Sequence, residues 1–225
     1  MVLGKMVAQK NNQTAINIPG ALRLVGIVGG VWAILVIVAA TLTYLPEHPA
    51  FSPFNTFLSD IGDTTGWPQI LFNSGTLIAV PIRYLVLALL VLRLIQLGAG
   101  RTFAVVALIV GFVSTSGTTL MTATPFSLAP AIHKAGIGLY FLGVVVLQSL
   151  IFVKEWSLKG VPKVLPVLSL VMVVLYFVFV TLLVLYERGV VSRSTPVIWE
   201  WLAILSSIVW MLAQSILLGK ADTAR

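Results

Sequence analysis

Apolar residues run along this chain in six long blocks, separated by short stretches rich in glycine, proline and charge. A helix that crosses a bilayer needs about 20 such residues. The blocks Leu22–Tyr44, Gln69–Leu92, Thr102–Thr124, Ala135–Val153, Val164–Tyr186 and Val197–Leu218 meet that length. Aromatic residues stand near their ends, where interfacial anchors belong: Tyr44, Trp67, Trp156, Tyr186, Trp199 and Trp201. Pro68 can open the second span, since its missing N–H costs nothing there. The pattern predicts an all-α polytopic integral membrane protein, a six-helix transmembrane bundle over residues 22–218. A cytoplasmic segment, 1–21, precedes it and a cytoplasmic tail, 219–225, follows. No internal repeat and no separate soluble domain is visible.

Composition agrees with this reading. Hydrophobic residues make up 59% of the chain and charged residues 9%, against roughly 25% charged in soluble domains. The net charge of +7 does not indicate nucleic acid, because the basic residues are scattered at span ends rather than clustered. They set a topology instead. Lys5, Lys10, Arg23, Arg93, Arg101, Lys154, Lys159, Lys163, Lys220 and Arg225 fall on one side, and Lys134, Arg188 and Arg193 on the other. Ten against three places both termini in the cytoplasm of a multi-pass cell-membrane protein whose partner is membrane lipid. Residues 1–20 lack the apolar core of a signal peptide, so the first span reads as retained. Cysteine is absent, which removes disulfide and thiolate chemistry. Nothing in the pattern specifies a cofactor or an oligomeric state.

Polar residues within the spans come next. Gly26 and Gly30 form a GxxxG spacing, read as close helix packing within the chain. The second span carries Asn73, Thr76, Val80, Arg83 and Tyr84 on one stripe, with Pro81 expected to kink it. Arg83 lies about 14 Å from the cytoplasmic end of that span at 1.5 Å per residue. An arginine at that depth should face protein or water, either bound to a structural partner or holding an anionic group such as a lipid phosphate. The third span ends in hydroxyls: Ser114, Thr115, Ser116, Thr118, Thr119, Thr122 and Thr124. These can bond their own helix or line a hydrated pocket. The fifth span is apolar nearly all round. In the sixth, Glu200, Ser207 and Gln214 recur at intervals of seven and share a face.

The longest polar interruption, Phe51–Gly75, holds Asp60 and Asp63, two of only seven acidic residues. The topology sets it outside, together with His48, His133, Glu187 and Glu200. If Ser59–Asp63 is helical, the two aspartates share a face. With His133 they can divide acid and base roles or hold a divalent cation. The plainer reading is that they cap a short helix and order the loop. No HExxH, nucleophile elbow or phosphate-cradling glycine motif is present. Two histidines outside the spans do not supply paired axial haem ligands.

Leu58-Ser-Asp-Ile-Gly62, followed by Asn73-Ser-Gly75, resembles the prokaryotic family known as domain of unknown function 998. Pro125 through His133 matches that family's proline-containing loop and histidine before the fourth helix. Ile61 stands where leucine is usual, and a single histidine where one or two are expected. The resemblance implies a six-helix membrane protein and places Asp60 at a functional or fold-defining position. The Leu58–Gly62 element is more distantly similar to an Ile-Ser-Asp-Thr-Gly element of the Frag/DRAM/Sfk group. Some members there are implicated in lipid-anchor remodelling, phosphoinositide signalling or autophagy, which implies lipid-related work.

The leading expectation is an outward-facing polar pocket that binds a lipid or other amphiphile. Asp60, Asp63, His133 and Glu200 form its candidate catalytic or polar rim. Ser59, Asn73, Arg83, Thr118 and Thr122 are candidate ligand contacts. The alternatives are a lipid hydrolase or acyltransferase using acid/base or metal chemistry, and a small-molecule transporter lined by Arg83 and the polar stripes.

Overall fold

The computed structural model describes residues 17–220. The polar N-terminal stretch with Lys5 and Lys10, and the tail beyond residue 220 with Arg225, lie outside the described residues. Seven helices are present among them: α1 Ile18–Tyr44, α2 Leu58–Asp63, α3 Trp67–Gln96, α4 Arg101–Ala123, α5 Pro130–Ser157, α6 Val164–Glu187 and α7 Ser194–Leu218. Six are long and apolar enough to cross a membrane, and α2 is the short exception.

Local chemistry explains the ends. Asn17 caps α1, its side-chain oxygen accepting from the Gly20 N–H at 3.0 Å. Pro130 opens α5, so that helix begins five residues before the expected Ala135 and takes His133 and Lys134 into its first turns. Gly66 precedes α3 at φ +101° and Gly98 follows it at φ +103°. Residues with a Cβ avoid that backbone region. The remaining boundaries differ from the sequence reading by only a few residues, as fraying helix ends do.

The spans close into a ring in the order α1, α3, α4, α5, α6, α7 and back to α1. Small residues set its tightest joints. A Cβ on Gly26 would lie 1.6 Å from Ser215 Oγ, and one on Gly30 2.4 Å from Leu212. The GxxxG spacing of α1 therefore packs against α7 within the chain. Between α1 and α3, Trp32 donates from Nε1 to the Gly75 carbonyl at 2.9 Å. At the α4–α5 crossing, a Cβ on Gly117 would lie 2.5 Å from the Tyr140 nitrogen. The outward sides of the spans expose large apolar side chains such as Leu24, Ile109, Phe112 and Phe177. That is the surface lipid requires and water penalises.

The hydroxyl run of α4 divides into two roles. Thr115, Ser116 and Thr119 bond carbonyls one turn back in their own helix. Ser114, Thr118 and Thr122 face inward and are buried, with Ser114 Oγ donating to the Tyr140 carbonyl at 3.1 Å.

Candidate functional site

α2 lies at one end of the ring and is fastened to it at four points. Glu200 on α7 accepts the Leu58 N–H at 2.5 Å. Asn73 on α3 donates from Nδ2 to the Gly62 carbonyl at 2.8 Å. Asp63 accepts from the N–H and hydroxyl of Ser127, in the α4–α5 connection, at 3.0 and 2.7 Å. Asp60 accepts from Arg193 Nη2, in the α6–α7 connection, at 2.5 Å.

These bonds give the Leu58–Gly62 and Asn73–Gly75 elements a physical meaning. Asp60 Oδ2 also reaches back to the Phe57 N–H at 2.9 Å, which satisfies a donor at the start of α2. A Cβ on Gly62 would lie 2.8 Å from Asn73 Oδ1, so glycine lets α2 approach α3. Gly75 does the same for α1, since its Cβ would lie 2.4 Å from Val36. Ahead of α2, Trp201 Nε1 donates to the Thr56 carbonyl at 2.9 Å.

Asp60 and Asp63 share the short helix. Each is turned to its own partner. Arg193 also donates to the Asn55 carbonyl at 3.1 Å and lies over the Phe57 ring, 5.0 Å from its centroid. Partial burial opposes its charge, but the hydrogen bond and negative charge of Asp60 outweigh this and raise its pKa above the ordinary value. Among the described residues no three His, Asp or Glu side chains group closely enough to hold a metal ion.

The Asp60–Arg193 pair is partly exposed, with side-chain accessibilities of 32% and 46%, so screening keeps its strength modest. A double-mutant cycle with Asp60→Asn and Arg193→Gln is expected to give a coupling of about 0.5–1 kcal/mol. It is read from thermal unfolding of the purified protein. Additive single-mutant effects would show that the pair does not fasten α2.

His133, buried at the start of α5, bonds the Thr124 carbonyl through Nδ1 at 2.9 Å. A carbonyl only accepts, so Nδ1 carries a proton in this contact, and in that neutral tautomer Nε2 is the acceptor. Lys134, next along, forms an ion pair with Glu187. His48 lies elsewhere, stacked on Tyr44 at 3.9 Å between centroids.

Inside the ring is a cavity of about 690 Å³. Asp60, Asp63, His133 and Glu200 line it, as do Ser59, Asn73, Arg83, Thr118 and Thr122. Its deeper walls are apolar, including Leu87, Phe141, Val144, Leu147, Met172 and Phe179. Arg83 stands among them. Its Nη2 donates to the Tyr140 hydroxyl at 2.9 Å, and that hydroxyl pairs with the Tyr176 hydroxyl at 2.9 Å.

Several of these residues were not singled out from the sequence. In the sequence Arg193 counts only towards topology, and nothing in the apolar pattern marks Tyr140 or Tyr176. The available signal was that a buried tyrosine hydroxyl needs a partner. Glu155 is a further case. It is fully buried on α5, and Ser169, bound by Trp210 Nε1 at 2.8 Å, approaches it at 3.5 Å.

No curated protein and no solved structure matches the chain. The family model described as Protein of unknown function (DUF998) matches residues 27–217, which takes in all or most of every spanning helix as well as α2. On that match, and with six membrane-length helices around it, the chain belongs to the DUF998 family.

Proposed function

We propose that this membrane protein binds a lipid or other amphiphile in the cavity enclosed by its ring of helices, and that the α2 end faces outward. The carrying observation is the cavity itself. Its 690 Å³ falls within the roughly 300–1,000 Å³ typical of small-molecule sites. Its lining combines polar groups, at the α2 end and again at Arg83, with extensive apolar walls, the mixture an amphiphile requires. The excess of basic residues at the opposite end supports the outward orientation.

Gly138 on α5 offers a clean test. It lines the cavity, and a Cβ built on it meets nothing within 4 Å. Gly138→Phe should fill the cavity without straining a helix joint. Binding of a fluorescent acyl amphiphile to the purified protein is expected to fall about tenfold or more, the loss of roughly 1.4 kcal/mol. Thermal stability should hold. Unchanged binding in Gly138→Phe would sink the cavity assignment.

A lipid hydrolase or acyltransferase is the second reading, and the His133 geometry favours it. Its free Nε2 suits a general base, and the residue lines the same cavity as Ser59. Turnover over a lipid panel, lost in His133→Gln while amphiphile binding persists, would distinguish catalysis from binding. No turnover by the wild type on any lipid of the panel would remove this reading.

A further inference from the structure

Resting on the amphiphile reading above, we propose that the ligand carries an oxyanion, a carboxylate or a phosphate, and that Arg83 is its seat. Three features of the cavity converge on this class.

The first is an arginine without an acidic partner. The guanidinium is charged at any physiological pH and presents five donors in a planar fork. Only one described hydrogen bond uses it, the 2.9 Å contact from Nη2 to the Tyr140 hydroxyl. Each acid on the cavity wall is engaged elsewhere. Asp60 holds Arg193, Asp63 holds Ser127, Glu187 holds Lys134 and Glu200 holds Leu58. The cavity therefore contains a positive group whose counter-charge the described protein does not supply.

The second is the way Arg83 is held. Its guanidinium carbon lies 5.1 Å from the centroid of the Tyr140 ring, a cation–π distance. The Tyr140 hydroxyl is in turn fixed by Tyr176 at 2.9 Å. One edge of the fork is pinned, and Nε and Nη1 remain available in a side chain that lines the cavity. A bidentate oxyanion fits a planar fork, as neither a neutral head nor a cation does.

The third is depth. Arg83 is sixteen residues from the start of α3, about 24 Å along the helix at 1.5 Å per residue. The walls around this depth include Phe141, Val144 and Met172. On the α4 wall, Thr118 is fully buried and its hydroxyl has no partner. A free inorganic anion would gain the charge but nothing from the apolar walls. An oxyanion on an alkyl chain gains both.

The test uses the full chain in phosphatidylcholine nanodiscs with a dansyl-labelled fatty acid as probe. Competitors are an unlabelled fatty acid, an alkyl phosphate, a fatty alcohol of equal chain length, and inorganic phosphate. The acid or the alkyl phosphate should compete at least about tenfold more tightly than the alcohol, a hydrogen-bonded charge's worth of selectivity. Which of the two is tighter identifies the head. Inorganic phosphate should not compete. Arg83→Met should abolish the preference, and Arg83→Lys should retain part of it, since lysine keeps the charge without the fork. Tyr140→Phe, which preserves the ring and removes the pin, should reduce the preference and guards against misfolding of the arginine variants. Equal competition by acid and alcohol overturns the oxyanion assignment while amphiphile binding stands. A preference untouched by Arg83→Met places the head elsewhere and overturns it too. Competition by inorganic phosphate as strong as by alkyl phosphate rejects the alkyl chain. Failure of the probe to bind at all removes both this inference and the reading it rests on.

Discussion

Alanine at Gly136 is expected to destabilise the protein by about 3 kcal/mol, the upper part of the range for overpacking a tight joint. The added Cβ would lie 2.5 Å from the Met121 nitrogen and 2.8 Å from the Gly117 carbonyl oxygen. Both atoms are backbone in α4, so no side chain can swing aside. The contact is reciprocal, because a Cβ on Gly117 would meet the Gly136 carbonyl at 2.8 Å. Relief requires the two helices to separate, which would also loosen the Ser114 bond to the Tyr140 carbonyl. Gly138→Ala is the control, two residues along the same helix with open space at its Cβ. It should be neutral or more stable by up to about 1 kcal/mol, the helix-propensity difference. Detergent-solubilised protein unfolded by heat or denaturant reports both. Equal stability of the two variants would mean that the α4–α5 joint is not close-packed.

Glu200→Ala should release α2 from the ring. The carboxylate is buried and accepts the Leu58 N–H at 2.5 Å. Its removal loses a hydrogen bond and leaves a buried donor without a partner, together about 3 kcal/mol. If the loss falls on local opening of α2, amide exchange at Leu58 and Ser59 should accelerate about a hundredfold. Glu200→Gln retains the shape and an acceptor oxygen, and should cost about a third as much. Exchange at Leu58 unchanged in the alanine variant would show that other contacts hold α2 in place.

Much of this architecture is legible in the chain because lipid imposes one simple demand, long apolar runs whose backbone groups are satisfied within the helix. That demand makes the six spans plain. It also makes the inward face of α4 readable, since Ser114, Thr118 and Thr122 recur every fourth residue. Pairing between distant segments is not written so directly. Asp60 and Asp63 look alike in sequence, and only the folded loops send one to Arg193 and the other to Ser127. Arg193 reads as a topology charge because its partner lies 133 residues away. His133 was expected in a loop, since Pro125 and Pro130 both suggest one. Pro130 instead starts the helix, fits its first turn without an N–H, and turns the imidazole back onto Thr124.

The closed ring also bears on how the protein is made. α1 packs against both α3 and α7, so it gains its full set of neighbours only when α7 is in place. Without α7 the other five spans form an open trough. Gly26 and Gly30 then lack their neighbours Ser215 and Leu212, and Leu58 lacks the carboxylate that receives its N–H. Arg83 already has Tyr140 and Tyr176 at that stage, but one side of its chamber still opens to lipid. Placement of α7 therefore closes the ring and fastens α2 together, through one 25-residue helix.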